Sequence, residues 1–468
     1  MAMELGFYGA AQNVTGSSYL LETREGRILI DCGLYQERQY RKRNWDNFPV
    51  PPRSIDAVLL THAHLDHCGR LPKLVREGFA GRIYCTSATA DIAGIVLEDS
   101  ARIQEEDAEF KRKRHEKEGR KAPHPEIPLY TGEDVEKTLP LFQLLPYEKT
   151  TSILKGVEAT FVNAGHILGS SMVRLEVDTS EGRRTLVFSG DVGRWDKPII
   201  EDPTLFEQAD YIQMESTYGD RLHRDEGDIG ERLSEIINST CEKGGNIVVP
   251  SFALERTQEL LYHLNLLLME DRIPHLLVYV DSPMAIKVTD VFERHLELFD
   301  REMAELIKSH SSPFNFFGLN MSRTSDESKA INYIKGTVII IAGSGMCTGG
   351  RIKHHLVRNV DRRESTILFV GYQAVGTLGR HLLERPEEVR IFGQRHKVRA
   401  RIDQIHGFSA HADREELLRW LNGFTRAPKR LFLTHGEKDA IQSLAGFIRK
   451  EKGWKITVPG YGDRVPLA

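Results

Sequence analysis

Cysteine is scarce in this chain, and its spacing suggests no pairs. Cys32, Cys68, Cys85, Cys241 and Cys347 are spread over 468 residues, with no C-x-x-C pair and an odd total. That density is too low for a disulfide scaffold, so a reducing, cytoplasmic setting is expected. No secretory leader is expected either, since MAMELGFYGA has neither the basic start nor the apolar run of a signal peptide. No stretch reaches the roughly 18 uninterrupted apolar residues of a spanning helix, and no membrane partner is expected. Nor is there a surplus of positive charge. A net charge of −4 excludes a protein that is basic throughout, so any site for a polyanion has to be a local patch. Internal repeats and low-complexity linkers are absent too.

With 40% hydrophobic and 28% charged residues, the chain can bury a sizeable core. Its length suits roughly two or three domains. The first stretch is strand-rich: LGFYGA, SSYLLET and RILIDCG, with Gly16, Gly26 and Gly33 between or after the apolar runs. IDAVLLT then runs straight into a histidine cluster. Residues 71–79 read as helix, RIYCT as a strand, and 87–120 as a helix with a charged second half. Strands recur at GVEATFVNA, SSMVRLEV and TLVFSGD. Apolar strands that end in metal-type residues suggest a layered α/β sandwich with its site along one edge.

The pattern changes after residue 218. NIVVPSF, LLVYVDSP, TVIIIAGSGM and STILFVGY alternate with helical stretches at 254–271, 284–310, from near 351, and at 376–387. Near-continuous β-branched runs separated by helical crossovers predict a buried parallel sheet of the doubly wound, Rossmann-like kind. The last ~60 residues return to the first style, with KRLFLTHGE as a strand ending at His435. The expected division is therefore a first domain in two parts, 1–218 and 405–468, with a second domain, 219–404, inserted. The run KRKRHEKEGRK at 111–121 holds seven basic residues against two acidic. Its bland reading is a solvated helix or loop, and the alternative is a basic lip for a phosphate backbone.

THAHLDHCGRLP places His62, His64, Asp66 and His67 on one short loop directly after a strand. Three imidazoles and a carboxylate held that close suit zinc, which takes nitrogen and oxygen ligands in compact geometry. A single ion cannot take them all from one side, so two are expected, one on His62 and His64, the other on Asp66 and His67. Later strand ends supply the missing ligands: His166 in NAGHILGSS, Asp191 in VFSGDVG as a bridge between both ions, and His435 in LFLTHGEKD. Each alone is equally a loop histidine or turn aspartate; together they complete two coordination shells. Asp31, ending RILIDCG, reads as an acceptor that orients a ligand histidine.

With HAHLDH, AGHILGS, FSGD and THGE in this order, the chain resembles the metallo-β-lactamase superfamily. MESTYGDR, GFSAHADR and THGEKD, together with GSGMCTGGR and GYQAVGTLGR, resemble segments of its β-CASP branch of nucleases, especially compact members akin to RNase J and to the cleavage-and-polyadenylation endonuclease. The resemblance implies an αββα sandwich carrying an inserted β-CASP domain, two Zn2+ ions, and single-stranded RNA as substrate. It implies phosphodiester hydrolysis, endonucleolytic or 5′-exonucleolytic, in RNA processing or decay, and it admits a homodimer. Asp66 would orient the attacking water or accept its proton. His411 would protonate the departing oxygen, with Glu215 holding its imidazole. Ser409, in the matched GFSAHADR segment, becomes a phosphate contact.

Ser344 and Gly345, in the Gly-rich turn GSGMCTGG, offer a backbone cradle for phosphate or simply a tight strand-to-helix turn. Arg256 is a further phosphate candidate, or one half of a helix ion pair. The RNA channel is expected between the domains. Three other readings are weighed. Hydrolysis of small thioesters or lactams does not call for so large an insertion. A non-catalytic RNA-binding subunit would be expected to have lost ligands. A DNA-acting nuclease of the same branch differs only in contacts to the 2′-position.

Overall fold

The computed structural model describes residues 3–119, 126–223, 227–310 and 312–467. Two compact units emerge. The first comprises Met1–Asp196, Asp202–Leu222 and His411–Ala468; the second comprises Lys197–Glu201 and His223–Ala410.

The first unit is a sandwich of two seven-stranded sheets. One runs in the order Arg464–Leu467, Met3–Phe7, Tyr19–Glu22, Arg27–Ile30, Ala57–Leu59, Arg82–Cys85 and Phe142–Leu144. The other runs Ile456–Thr457, Arg430–Leu433, Tyr211–Met214, Gly182–Phe188, Ser171–Thr179, Val157–Asn163 and Thr151–Leu154. Side chains alternate along each strand, and the apolar halves of the two sheets meet. Leu5, Phe7, Leu21, Ile28 and Ile30 from one sheet form a single core with Phe161, Val173, Leu175, Phe188 and Phe432 from the other. The opposite face of the second sheet turns Ile212, Met214, Leu431 and Leu433 toward Leu417, Trp420 and Leu421 of the helix Arg414–Asn422. The same face meets Ile441, Leu444 and Ile448 of Lys438–Lys452. Both helices are amphipathic by spacing, which is why they settle there.

The helix Ser87–Glu118 starts on the Thr86 side chain, which accepts from the Thr89 amide, and ends where Gly119 turns left-handed. Its exposed second half pairs Lys113 with Glu109 at 2.6 Å and Arg114 with Glu118 at 3.8 Å. These are ion pairs of a solvated helix face. Arg120 and Lys121, the end of that basic run, lie outside the described residues. No helix among the described residues is long and apolar enough to cross a membrane.

The second unit holds a six-stranded sheet, parallel throughout, in the order Leu319–Met321, Leu277–Asp281, Val338–Ala342, Ile247–Pro250, Thr366–Phe369 and Arg401–Gln404. The two edge strands were not anticipated, being short and partly polar. Neither was the hairpin Glu388–Ile391 with Gln394–Lys397. The helix expected over 284–310 is two helices, Pro283–Phe292 and Arg301–Ser309. The second begins anew because Asp300 caps it, accepting from the Met303 amide at 2.6 Å. Arg401–Gln404 is an edge strand of this sheet, so the compact unit continues past residue 404 to Ala410.

The strands Arg27–Ile30 and Ala57–Leu59 run parallel in one sheet, as do Gly182–Phe188, Tyr211–Met214 and Arg430–Leu433 in the other. Their carboxyl ends deliver Asp31, the 62–67 loop, Asp191, Glu215 and His435 to one edge. Close backbone approach holds that edge together. A Cβ on Gly33 would sit 1.7 Å from the Asp66 carbonyl oxygen and 2.7 Å from the Ser17 nitrogen. Gly33→Ala should therefore destabilise the first unit by at least about 1–3 kcal/mol. All four tryptophans, Trp45, Trp195, Trp420 and Trp454, lie in this unit, so the midpoint of urea unfolding followed by tryptophan fluorescence measures the effect directly. An unchanged midpoint would mean that the loop carrying Asp66 is not fixed by this contact.

Candidate metal and catalytic site

The 62–67 loop leaves the strand Ala57–Leu59 and enters a short helix, Leu65–Cys68, with His64 as its N-cap residue. This puts Asp66 in the first turn and His67 one residue further along. The Asp66 carbonyl accepts from the Ser17 amide at 2.8 Å, and the His67 carbonyl from the Cys32 amide at 2.7 Å. The loop is thereby fastened to the neighbouring strand ends. His166 sits in a loop whose Ser170 hydroxyl accepts from the His166 and Ile167 amides, both at 3.1 Å. Gly193 lets the Asp191 loop pass against that loop, since a Cβ there would lie 1.7 Å from the Gly165 carbonyl oxygen.

The donors converge in two groups. In the first, His62 Nε2 is 3.1 Å from His64 Nδ1, and His166 Nε2 is 3.2 Å from the same Nδ1. Asp191 Oδ2 is 3.4 Å from His62 Nε2 and 3.5 Å from His166 Nε2. In the second group, His67 Nε2 and His435 Nε2 are 3.2 Å apart, though 368 positions separate them in the chain. Asp191 Oδ1 is 3.3 Å from His67 Nε2 and 3.5 Å from His435 Nε2, and Asp66 Oδ2 is 3.5 Å from His435 Nε2. Ligands about 2.0–2.1 Å from a tetrahedral ion stand about 3.3–3.4 Å from one another. The observed separations match those edges.

Asp191 supports the same assignment. Its two oxygens divide between the two groups, and Oδ1 is buried with no hydrogen bond among the described residues. A buried carboxylate oxygen left without a donor is costly unless a cation neutralises it. The donor set fits a dinuclear metal centre.

Hydrogen bonds turn the rings. The Thr61 hydroxyl donates to Asp31 Oδ2 at 2.9 Å and lies 3.0 Å from His62 Nδ1. With its own proton spent on Asp31, it must accept from His62 Nδ1–H, which leaves Nε2 facing the first group. Asp31 Oδ2 also accepts from His67 Nδ1–H at 2.7 Å, aiming His67 Nε2 at the second group. One carboxylate therefore orients a histidine in each group. The Thr217 hydroxyl donates to the His435 carbonyl at 3.2 Å and, by the same logic, accepts from His435 Nδ1–H at 3.1 Å. Asp31 and His435 both sit in the left-handed region, at φ 58° and 49°. Such backbone is held only where surroundings enforce it, here by bonds from the Asp31 amide to Leu59 and from the His435 amide to Ala10.

Burial dominates the protonation of the first group. It pushes His62 down to about 3 and His64 to about 4, and holds His166 well below the usual histidine range, the neighbouring imidazoles adding to the effect. Their lone pairs are available for coordination. In the second group burial acts the same way, but nearby carboxylates outweigh it. Asp191 and Asp31 hold His67 well above its ordinary value, and Asp191 with Asp66 raises His435 to about 9. Asp66 and Asp191 stay ionised, because the histidines around them outweigh their own burial.

Next to this cluster, His411 Nδ1 is 3.2 Å from Glu215 Oε1 and 3.9 Å from Asp191 Oδ2. Glu215 is fully buried and also accepts from the Val192 amide at 2.7 Å and the Thr217 amide at 3.2 Å. Burial opposes the charge on His411, yet Glu215 and Asp191 raise its pKa above the ordinary value.

The other candidates lie in the second unit. Arg256 forms an ion pair with buried Glu259 at 3.1 Å. The Ser344 hydroxyl accepts from the Thr348 and Gly349 amides at 3.0 and 3.2 Å, closing the Gly-rich turn. Gly345 lies against the Phe252 ring, and its carbonyl accepts from Gln373 at 2.8 Å. Ser409 is half-buried. Thr61 and Thr217 were missed at the sequence level, although a threonine preceding the histidine in THAH was a usable signal.

Three family models cover this chain in succession: the metallo-β-lactamase superfamily over residues 12–215, the Beta-Casp domain over 257–382, and the Zn-dependent metallo-hydrolase RNA specificity domain over 395–459. A ribonuclease of Thermus thermophilus is 39% identical over 98% of this chain and 99% of its own length. The chain belongs to the β-CASP branch of the metallo-β-lactamase superfamily. Other members include an RNase J-like protein of Methanocaldococcus jannaschii, 30% identical over 99% of each chain. The transcription termination factor FttA of Methanosarcina mazei is 31% identical over 95% of this chain and 68% of its own. A solved structure from Enterococcus faecalis, a protein of unknown function, aligns over 100% of both chains with a TM-score of 0.54 at 13% identity, a likeness of fold alone.

Because Asp31 orients one histidine in each group, Asp31→Asn should weaken both sites together. Asparagine tolerates the left-handed backbone but cannot accept all three bonds that Asp31 takes, from the Thr61 amide at 2.8 Å, the Thr61 hydroxyl and His67 Nδ1–H. A loss of about 10–100-fold in affinity for added zinc is expected at both sites, measured by competition with a chromogenic chelator. Weakening confined to one site would contradict the shared role.

Proposed function

We propose that this β-CASP protein is a zinc-dependent ribonuclease that hydrolyses RNA phosphodiester bonds with two Zn2+ ions. The observation that carries the reading is the division of Asp191 between two donor groups, with the His411–Glu215 pair beside it. His62, His64, His166 and Asp191 would hold one ion; Asp66, His67, His435 and Asp191 would hold the other. Bound there, the ions would supply Lewis acidity toward phosphate oxygens and lower the pKa of water. Support for RNA as substrate comes from the family branch and from the relatives named as ribonucleases. The free cysteines fit a reducing compartment, and we assign the enzyme to the cytoplasm.

The chain's own residues then divide the proton transfers. Asp66, kept ionised among histidines, accepts the proton of the attacking water. His411 gives its Nδ1 proton to the hydrogen bond with Glu215, so the opposite nitrogen, Nε2, is the one that protonates the departing oxygen. Glu215 is a positioning residue: anchored by two backbone amides, it holds the ring and stabilises its positive charge.

Purified protein incubated with internally labelled and 5′-monophosphorylated RNA should yield products that vanish on chelation and in His67→Ala. His411→Ala should lower kcat by about 10²–10⁴-fold while zinc content stays unchanged. Cleavage that survives chelation or His67→Ala would sink the metal mechanism, and RNA binding without cleavage by the zinc-loaded protein would make the chain a non-catalytic RNA-binding subunit. Product sizes separate endonucleolytic fragments from mononucleotides released stepwise.

A further inference from the structure

The segment that follows Asp31, residues 34–48, supplies none of the donors in the metal cluster. It interleaves Arg38, Arg41, Lys42 and Arg43 with Tyr35, Tyr40, Trp45 and Phe48. Its inner half is fixed. The Tyr35 hydroxyl donates to the Tyr8 carbonyl at 2.7 Å, and the Asn44 amide exchanges two bonds with the Tyr35 backbone, both at 2.8 Å. Phe48 is buried beneath the Arg70 and Lys73 cations. Glu37 turns inward, accepting from the Val14 and Thr15 amides at 2.9 and 3.1 Å.

Beside Gln36, Gln39, Asp46 and Asn47, a group of cations and rings faces water. Arg38, Arg41 and Lys42 are exposed, as are Trp45 and Tyr461, at 51% and 45%. The Arg43 guanidinium lies between two rings, 4.5 Å from the centre of Tyr40 and 4.0 Å from that of Tyr461. Among the described residues, no carboxylate pairs with these four cations, and Arg41 Nε donates only to the Gln36 carbonyl at 3.0 Å. On the helix Ser87–Glu118, by contrast, cations such as Arg102, Lys113 and Arg114 are matched by acids on the same face. Four like charges within six positions repel one another, and a polyanion relieves that repulsion by displacing counterions. Exposed ring faces and guanidinium planes stack on bases regardless of sequence, but only on bases not already stacked in a duplex.

The segment is also mounted on the site. The Leu34 amide donates to Leu65 and the Cys32 amide to His67, at 2.8 and 2.7 Å; the Gln36 amide donates to the Thr15 hydroxyl at 2.9 Å. We propose that Arg38, Arg41 and Lys42, with Trp45 and the Tyr40–Arg43–Tyr461 stack, form a sequence-tolerant platform for single-stranded RNA beyond the scissile phosphate. The proposal rests on the ribonuclease reading above and adds where the strand runs.

The test uses the full chain carrying His411→Ala, so that strands stay whole, and end-labelled oligouridines of about 20 and about 4 nucleotides. Adding Arg38→Ala, Arg41→Ala and Lys42→Ala together should weaken binding of the long strand about 10-fold or more at about 0.1 M salt. The log–log salt slope should flatten by about 2, while the short strand is held almost as before. The charge-keeping set Arg38→Lys and Arg41→Lys should restore most of the affinity. Trp45→Ala with Tyr461→Ala should weaken the long strand several-fold without altering the slope.

Unchanged affinity and slope in both sets would overturn the platform while leaving RNA cleavage by the parent chain intact. Equal weakening of long and short strands, or tighter binding of matched DNA, would overturn it too. A parent chain that neither binds nor cleaves RNA would instead overturn the ribonuclease reading beneath it.

Discussion

A single buried carboxylate that has to serve two sets of imidazoles is the constraint around which the first unit is organised. Asp191 can face His62 and His166 with one oxygen and His67 and His435 with the other only if four separate strand ends meet within a few ångströms. That requirement explains several otherwise awkward features. Backbone segments pass too close for any Cβ at Gly33 and Gly193. Asp31 and His435 accept a left-handed conformation. Polar side chains are sunk into a region where burial alone would expel them unless they were partnered.

The arrangement also concentrates control in a few groups outside the donor set. Asp31 acts on one group directly through His67 and on the other through Thr61 and His62, so the two halves of the cluster share an orienting carboxylate. Glu215 does the corresponding work for His411. Its two backbone amide partners, Val192 and Thr217, follow Asp191 and Glu215 closely in the chain. The geometry of the proton-bearing ring is thereby tied to the geometry of the shared carboxylate.

Much of this was legible because the relevant patterns are local. His62, His64, Asp66 and His67 fall within six consecutive positions, and strand-then-ligand runs at Asp191 and His435 announce themselves by apolar stretches. The parallel sheet of the second unit was readable for the same reason. What escaped was carried by tertiary context. Leu319–Met321 and Arg401–Gln404 are too short and too polar to register as strands until a neighbouring strand pairs with them. Residues Lys197–Glu201 join the second unit through a bridge between Ile200 and Phe299, a contact that no local pattern encodes. Thr61 and Thr217 matter only once the ring nitrogens they face are known. Arg256, open from the sequence to a phosphate or to a helix ion pair, makes the ion pair with Glu259 in the fold, and that leaves the phosphate reading open.

The order in which the chain delivers its parts has a consequence for biosynthesis. The strand Arg430–Leu433 is an interior member of the second sheet, flanked by Tyr211–Met214 and Ile456–Thr457, and Phe432 fills the core between the sheets. His435 lies 368 positions after His67, so it leaves the ribosome long after the 62–67 loop. A nascent polypeptide therefore cannot complete the second donor group until His435 has been made and Arg430–Leu433 has joined its sheet.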